Sequence, residues 1–242
     1  MKAKTGAEFH GPDGRIVRQM FGEIAHRYDF LNHFLSLSID KRWRSLAAAK
    51  VAEHLSPNDT GICLDLCSGT GDLAIELHQR LHLPVVASDF CHPMLVRSVL
   101  KTRELPIRTV EADSMATPFA DKSFNAVTVA FGLRNLEDPK KGLEEMRRVL
   151  KPGGVLVVLE FSRPVIPVMR QAFQFYFHRI LPRIGAWVSG QTSAYQYLPD
   201  SVSRFPAQRE LAVLMTNIGF QAVNYRNLSG GIAALHWGLK SR

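Results

Sequence analysis

Apolar residues recur at helical spacing near the start of the chain: Ile16, Val17, Met20, Phe21, Ile24, Tyr28 and Leu31 form one stripe. The pattern predicts a helix over 15–31. A second helix is predicted over about 40–54, with Asp40 or Ser38 as its cap. Pro57-Asn58-Asp59 then breaks the chain. From Gly61 onward, short apolar runs alternate with amphipathic stretches. Strands are predicted over 62–67, 85–88, 107–111, 124–131 and 155–161, and helices over 71–81, 93–103 and 139–150. Pro139 is well placed in a first helical turn. Lys151-Pro152-Gly153-Gly154 reads as a turn before the fifth strand. Apolar strands alternating with helices predict a parallel sheet covered on both faces.

The segment from Ser162 to Pro199 departs from this pattern. It contains no Asp or Glu and sets Arg163, Arg170, Arg179 and Arg183 among Phe173, Phe175, Tyr176, Phe177, Ile180, Ile184 and Trp187. It reads as a helical insertion, bounded at about 163–205. A helix over 209–218 follows, then strands over 220–227 and 232–239. Their short connection, Ser229-Gly230-Gly231, implies an antiparallel final strand. The chain thus reads as one α/β domain over 1–242, with an N-terminal helical cap over about 14–55.

The chain has 242 residues, 46% of them hydrophobic, enough for a substantial core. Its formal net charge of +8 favours an anionic partner such as acidic lipid, nucleic acid or an acidic metabolite. Three cysteines without a regular framework fit a reducing compartment. The polar N-terminus lacks the apolar core of a signal peptide. The strongest apolar run, 155–161, is far too short to span a bilayer. A cytoplasmic protein is expected, soluble or peripheral on the membrane. The 9 histidines are scattered, and no metal is expected.

Candidate chemistry sits at the strand ends. Asp65-Leu66-Cys67-Ser68-Gly69-Thr70-Gly71 closes the first strand and opens a helix. Gly69 and Gly71 allow a ligand close to the backbone. Ser68 and Asp72 do not match the dinucleotide fingerprint, and Asp65 would repel a pyrophosphate. Asp65 could instead accept hydrogen bonds from the cationic amino-acid part of S-adenosyl-L-methionine. Asp89, after the second strand, can accept from both ribose hydroxyls, and Phe90 is counted with it. Asp113 and Ser114, after the third strand, can meet the adenine amino group and a ring nitrogen. An acid at one strand end is often only a helix cap. Three in order point to a nucleoside at the carboxyl edge of a parallel sheet.

Further motifs carry a resemblance. Tyr28-Asp29-Phe30-Leu31-Asn32 with Leu35-Ser36 and Trp43, Phe131-Gly132-Leu133-Arg134-Asn135, and Arg148-Val149-Leu150-Lys151-Pro152-Gly153-Gly154 with Glu160-Phe161-Ser162 are three of them. Tyr195-Gln196-Tyr197-Leu198-Pro199 and Gly231-Ile232-Ala233-Ala234-Leu235-His236 are two more. Together, over 18–240, they resemble the menaquinone/ubiquinone-biosynthesis C-methyltransferases. The resemblance implies a class I, Rossmann-like S-adenosylmethionine-dependent methyltransferase. Its sheet would have seven mostly parallel strands, the last antiparallel. It implies cofactor contacts at Thr70, Asp89, Asp113 and Ser114. It implies another at Ala130, where some relatives carry serine and alanine leaves only backbone.

The implied reaction is C-methylation of an isoprenoid quinol, demethylmenaquinol first and a methoxy-polyprenyl-benzoquinol as the alternative. The ring must be reduced, preferably as its phenolate, to be nucleophilic. Arg134 is the expected stabiliser of that phenolate, because arginine stays charged. Tyr28, Asp29 and Asn135 are expected to orient the loop and a proton-accepting water. In the plainer reading Tyr28 only packs, and Asp29 only pairs with Arg27 or Arg134. Glu160 is a lesser candidate. Membrane-surface contact through the basic, aromatic insertion is expected, and a homodimer is allowed. The competing classes are an RNA-binding or RNA-methylating protein, a methyltransferase for a small soluble phenol or amine, and a non-catalytic subunit. Nucleic acid is disfavoured, because Phe131-Gly132-Leu133-Arg134 is not the Asn/Asp-Pro-Pro-Tyr/Phe run of amino-methylating enzymes.

Overall fold

The computed structural model describes residues 11–29, 33, 36, 38–56, 60–175 and 193–242. Its helices are α1 (Gly14–Ile24), α2 (Ile39–His54), α3 (Asp72–Leu81), α4 (His92–Thr102), α5 (Pro139–Val149), α6 (Pro167–Phe175), α7 (Ser193–Arg204) and α8 (Gln208–Ile218). Its strands are β1 (Cys63–Leu66), β2 (Val85–Asp89), β3 (Ile107–Glu111), β4 (Phe124–Ala130), β5 (Leu150–Phe161), β6 (Phe220–Leu228) and β7 (Ala233–Lys240).

The seven strands form one sheet in the order β3-β2-β1-β4-β5-β7-β6. The pairs from β3 through β5 are parallel, and β7 runs antiparallel to both β5 and β6. The chain steps outward from β1 to β2 and β3, then returns to place β4 on the other side of β1. The carboxyl ends of β1 and β4 therefore flank the reversal of strand order, where sheets of this kind bind ligands.

Strand periodicity of two builds both faces. Cys63, Val85, Ala87, Val155, Val157 and Leu159 pack against Trp43, Ala47, Ala48 and Val51 of α2 and Leu73, Ala74 and Leu77 of α3. Their neighbours Leu64, Leu66, Leu156 and Val158 pack on the opposite face against Leu143 and Met146 of α5 and Leu211 and Met215 of α8. Because both faces are covered, the central strands read as continuous apolar runs.

Two boundaries differ from the sequence expectation by more than one residue. The first helix ends at Ile24, short of Tyr28. The Arg27 and Tyr28 amides bond back to Ile24 and Ala25, a tightened i→i+3 pattern that closes the α-helix. Its expected end at Leu31 lies outside the described residues. The expected turn at 151–154 is instead part of β5. Gly153, at φ +79°, lets the strand continue through an irregularity in its pairing with β4. Helices α6 and α7 lie within the expected insertion. Its middle, the Pro57–Asp59 break and Phe30 to Asn32 lie outside the described residues. Among the described residues no helix is long and apolar enough to cross a membrane.

Candidate active site

Among the described residues, two cavities open at the carboxyl edge of the sheet, under α1. The larger, about 220 Å³, is lined by Arg18, Phe90, Asp113, Ser114, Met115 and Asn135 among others. The smaller, about 40 Å³, is lined by Phe21, Tyr28, Cys67, Gly69, Asp89 and Ala130 among others. Phe90, Asn135 and Leu136 line both, so the two adjoin one another. The fold thus gathers Tyr28, Gly69, Asp89, Phe90, Asp113, Ser114, Ala130 and Asn135. Asp29, Asp65, Thr70, Gly71 and Arg134 are not among the lining residues.

Each acid is held differently. Asp65 is buried on β1, and its Oδ1 accepts from Thr128 at 2.7 Å. Its Oδ2 is buried with no hydrogen-bond partner among the described residues. Burial pushes this carboxyl up to about 7. Asp89 accepts from the Gly69 amide at 2.8 Å and the Cys91 amide at 2.9 Å, tying the end of β2 to the glycine loop. Burial raises its pKa as well. Asp113 is exposed and caps the Met115 amide at 2.8 Å. Ser114 is buried, its Oγ 3.3 Å from Cys67 Sγ.

Backbone conformation brings the loops close. Cys67 (φ 51°) and Phe131 (φ 58°) are left-handed although neither is glycine. Strained residues of this kind concentrate at functional sites. The loops after β1 and β4 touch so closely that a Cβ on Gly132 would lie 2.2 Å from Cys67 Cβ.

The N-terminal segment reaches the same edge. Tyr28 lies over Gly69, where a Cβ would meet its ring at 3.8 Å. Asp29 accepts from the Thr70 hydroxyl and from Lys101 Nζ, the latter at 2.8 Å. Lys101 also pairs with Asp72. Asp72 continues into a cluster with Arg44, Asp40 and His33. The sequence suggested no metal group. The fold does bring His33, Asp40 and Asp72 together, but with Arg44 as a counter-ion to both acids.

Arg134 sits in a short helical turn, Leu133–Asn135, behind the cavity wall. It is 5% exposed and forms a buried ion pair with Glu160, Nη1 to Oε1 at 2.7 Å. Its Nε is buried with no partner among the described residues, leaving an unused donor. Its guanidinium lies 5.3 Å from the Phe161 ring centroid. Phe161, Phe131 and Trp43 pack mutually, with ring centroids 4.7–6.2 Å apart. Asn135, one residue on, donates to the Phe131 carbonyl at 3.3 Å and accepts from the Tyr197 hydroxyl at 2.8 Å. The residue expected to face the methyl donor is thus one step removed, and Asn135 occupies the wall.

Sequence reasoning gave no role to Lys101 or Tyr197 and left Glu160, here the partner of Arg134, a lesser candidate. Tyr197 stands in the quoted motif 195–199, a signal that marked the stretch but not the hydroxyl. Lys101 is one of many helical lysines and had no local signal.

These groups fit a cationic nucleoside. A buried carboxylate oxygen lacks a donor, a second carboxylate faces the small cavity, and the acids would repel a pyrophosphate. The ubiE/COQ5 methyltransferase family matches residues 10–240 of the chain. The chain is 47% identical over 230 residues to a demethylmenaquinone methyltransferase of Deinococcus radiodurans, covering 94% of this chain and 93% of that one. It is 44% identical over 233 residues to a ubiquinone/menaquinone biosynthesis C-methyltransferase of Geobacter sp. strain M21, covering 94% and 97%. The solved structure of the [4+2]-cyclase SpnF superposes with a TM-score of 0.72 at 15% identity, over 98% of this chain and 99% of that one. That likeness is one of fold alone.

Proposed function

The chain belongs to the ubiE/COQ5 methyltransferase family and is an S-adenosylmethionine-dependent C-methyltransferase of quinone biosynthesis; from that premise we propose that it methylates demethylmenaquinol to menaquinol. The observation that carries the chemistry is the unpartnered Asp65 Oδ2 beside Asp89 at the strand-order reversal. When bound, S-adenosylmethionine supplies a sulfonium methyl group open to in-line displacement by a carbon nucleophile.

The protein's residues then have separable tasks. Asp65, Asp89, Asp113 and Ser114 hold the amino-acid, ribose and adenine parts, with Phe90 and Ala130 as walls. Gly69, Thr70 and Gly71 let the donor lie against the backbone. Tyr28 covers the small cavity and excludes water. The buried charge of Arg134, acting from behind the cavity wall, favours the phenolate of the quinol, a phenol that ordinarily ionises at about pH 10. Asn135 orients the ring oxygen. A water steered by Tyr28, Asp29 and Asn135 takes the phenol proton, since arginine itself does not.

The name of the Geobacter relative favours a second reading, methylation of 2-polyprenyl-6-methoxy-1,4-benzoquinol. Nothing in the comparisons supports an RNA-methylating alternative. Labelled donor incubated with both reduced precursors, followed by mass spectrometry of the ring, tests the choice. Methyl transfer to the benzoquinol alone would refute the first reading, and transfer to neither would refute both.

We also infer transient contact with an anionic membrane surface. Val168 and Phe175 are 75% and 61% exposed, beside exposed Val165 and Ile166, with Arg163 and Arg170 alongside. Unchanged liposome binding after Val168→Asp/Phe175→Asp would refute it. Pairing of two copies belongs to the same proposal, with light scattering as its test.

A further inference from the structure

The hydroxyl that the resemblance assigns to the methyl donor is already in use. Thr70, 3% exposed, gives its hydroxyl to Asp29 Oδ1. Lys101 Nζ donates to Asp29 Oδ2 at 2.8 Å and lies 3.4 Å from Thr70 Oγ1. A hydroxyl and an ammonium thus converge on one carboxylate at the glycine loop. Burial works against the charge on Asp29, but Lys101 and Thr70 hold its pKa below the ordinary value.

The amino-acid end of the donor carries a carboxylate as well as an ammonium. Asp65 answers the ammonium, while Asp72 and Asp89 make the rest of the loop hostile to a second anion. Nearby, Arg44 is held by Asp40 and Asp72, and Arg18 lies over Phe90. Lys101 is the cation in contact with Thr70.

The geometry points to Thr70 and Lys101 as the subsite for the α-carboxylate of the methyl donor, with Asp29 as an internal stand-in that the donor displaces. This rests on the methyltransferase reading above and deepens it. The exchange trades one carboxylate for another, so the ammonium keeps a counter-charge throughout. Lys101 stays in place when Asp29 leaves, because Asp72 anchors it separately. Asp29 adjoins Tyr28, which lines the small cavity.

Calorimetric titration of the full chain with two probes tests the inference: S-adenosylhomocysteine, which carries the carboxylate, and 5′-methylthioadenosine, which does not. Lys101→Met should weaken S-adenosylhomocysteine about 10- to 100-fold, the range of a hydrogen bond to a charged group, and leave methylthioadenosine unchanged. Lys101→Arg should restore most of the loss. Asp29→Asn, which removes the competing charge, should tighten S-adenosylhomocysteine. Equal loss for both probes in Lys101→Met, no loss for either, or weaker S-adenosylhomocysteine in Asp29→Asn would overturn it. Should Lys101→Met fail to fold, a crystal of the wild-type chain with S-adenosylhomocysteine decides. The ligand carboxylate belongs on Thr70 and Lys101 with Asp29 moved off, and Asp29 still seated there sinks the inference. A wild-type chain that binds neither probe refutes the methyltransferase reading instead.

Discussion

Glu160→Gln changes a charge without changing a shape. The carboxylate accepts from Arg134 Nη1 at 2.7 Å, from the Arg134 amide at 3.3 Å and from the Phe161 amide at 2.8 Å. Glutamine retains one acceptor and turns an NH2 group toward donors. Arg134, 5% exposed, is left without the counter-charge that Glu160 supplies. Breaking one side of a buried pair costs about 3–5 kcal/mol. For a chain of this size each kcal/mol moves the midpoint by about 2–4 °C, so melting should fall by about 6–20 °C. Thermal denaturation followed by circular dichroism measures this. Replacing both partners, Arg134→Met with Glu160→Leu, should recover most of the stability, because an apolar pair needs no compensation. Turnover should nonetheless stay about 10²–10³-fold down, the usual effect of losing one preorganised electrostatic donor. A Glu160→Gln midpoint within about 2 °C of wild type would refute the burial argument, since that is no more than about 1 kcal/mol. Wild-type turnover in the double variant would remove Arg134 from the chemistry.

Three further outcomes are expected. Asp65, with its pKa raised to about 7, is largely protonated below that pH. S-adenosylhomocysteine should therefore bind more tightly at about pH 8 than at about pH 6. Asp65→Asn should abolish that dependence and, by removing a buried charge, raise the melting temperature above pH 7; an unchanged profile refutes the role. Burial pushes His236 down to about 4, so between about 6.5 and 4 the unfolded chain takes a proton that the folded one refuses. Stability should be complete above that window and fall by about 3 kcal/mol as pH drops through it. Urea titrations of wild type and His236→Gln with the same pH slope would contradict this. Gly132→Ala, whose Cβ would press on Cys67, should cost about 1–3 kcal/mol and displace Asn135. Wild-type melting and turnover in that variant would show that the loops can part.

The alternation of apolar runs with amphipathic stretches was enough to place all seven strands and to set the last one antiparallel. Strand periodicity, helix periodicity and turn residues are local properties, so they can be read along the chain. The three acids at strand ends were legible for the same reason, because each follows its strand directly and the strands line up in parallel. The extension of β5 back to Leu150 was not legible, since Pro152 and two glycines look like a turn and only the pairing of Leu150 with Phe124 reveals it. The working contacts of the site lie further out of reach. Lys101 meets Asp29 across 72 residues, Arg134 meets Glu160 across 26, and Tyr197 meets Asn135 across 62. Which lysine, glutamate or tyrosine supplies a partner depends on how helices and loops pack over the sheet edge. That packing follows from burial summed over the whole chain, and no local pattern carries it. The sequence by itself therefore determined the fold and the kind of ligand; tertiary structure decided which charges neutralise one another and which buried donor is left without a partner among the described residues.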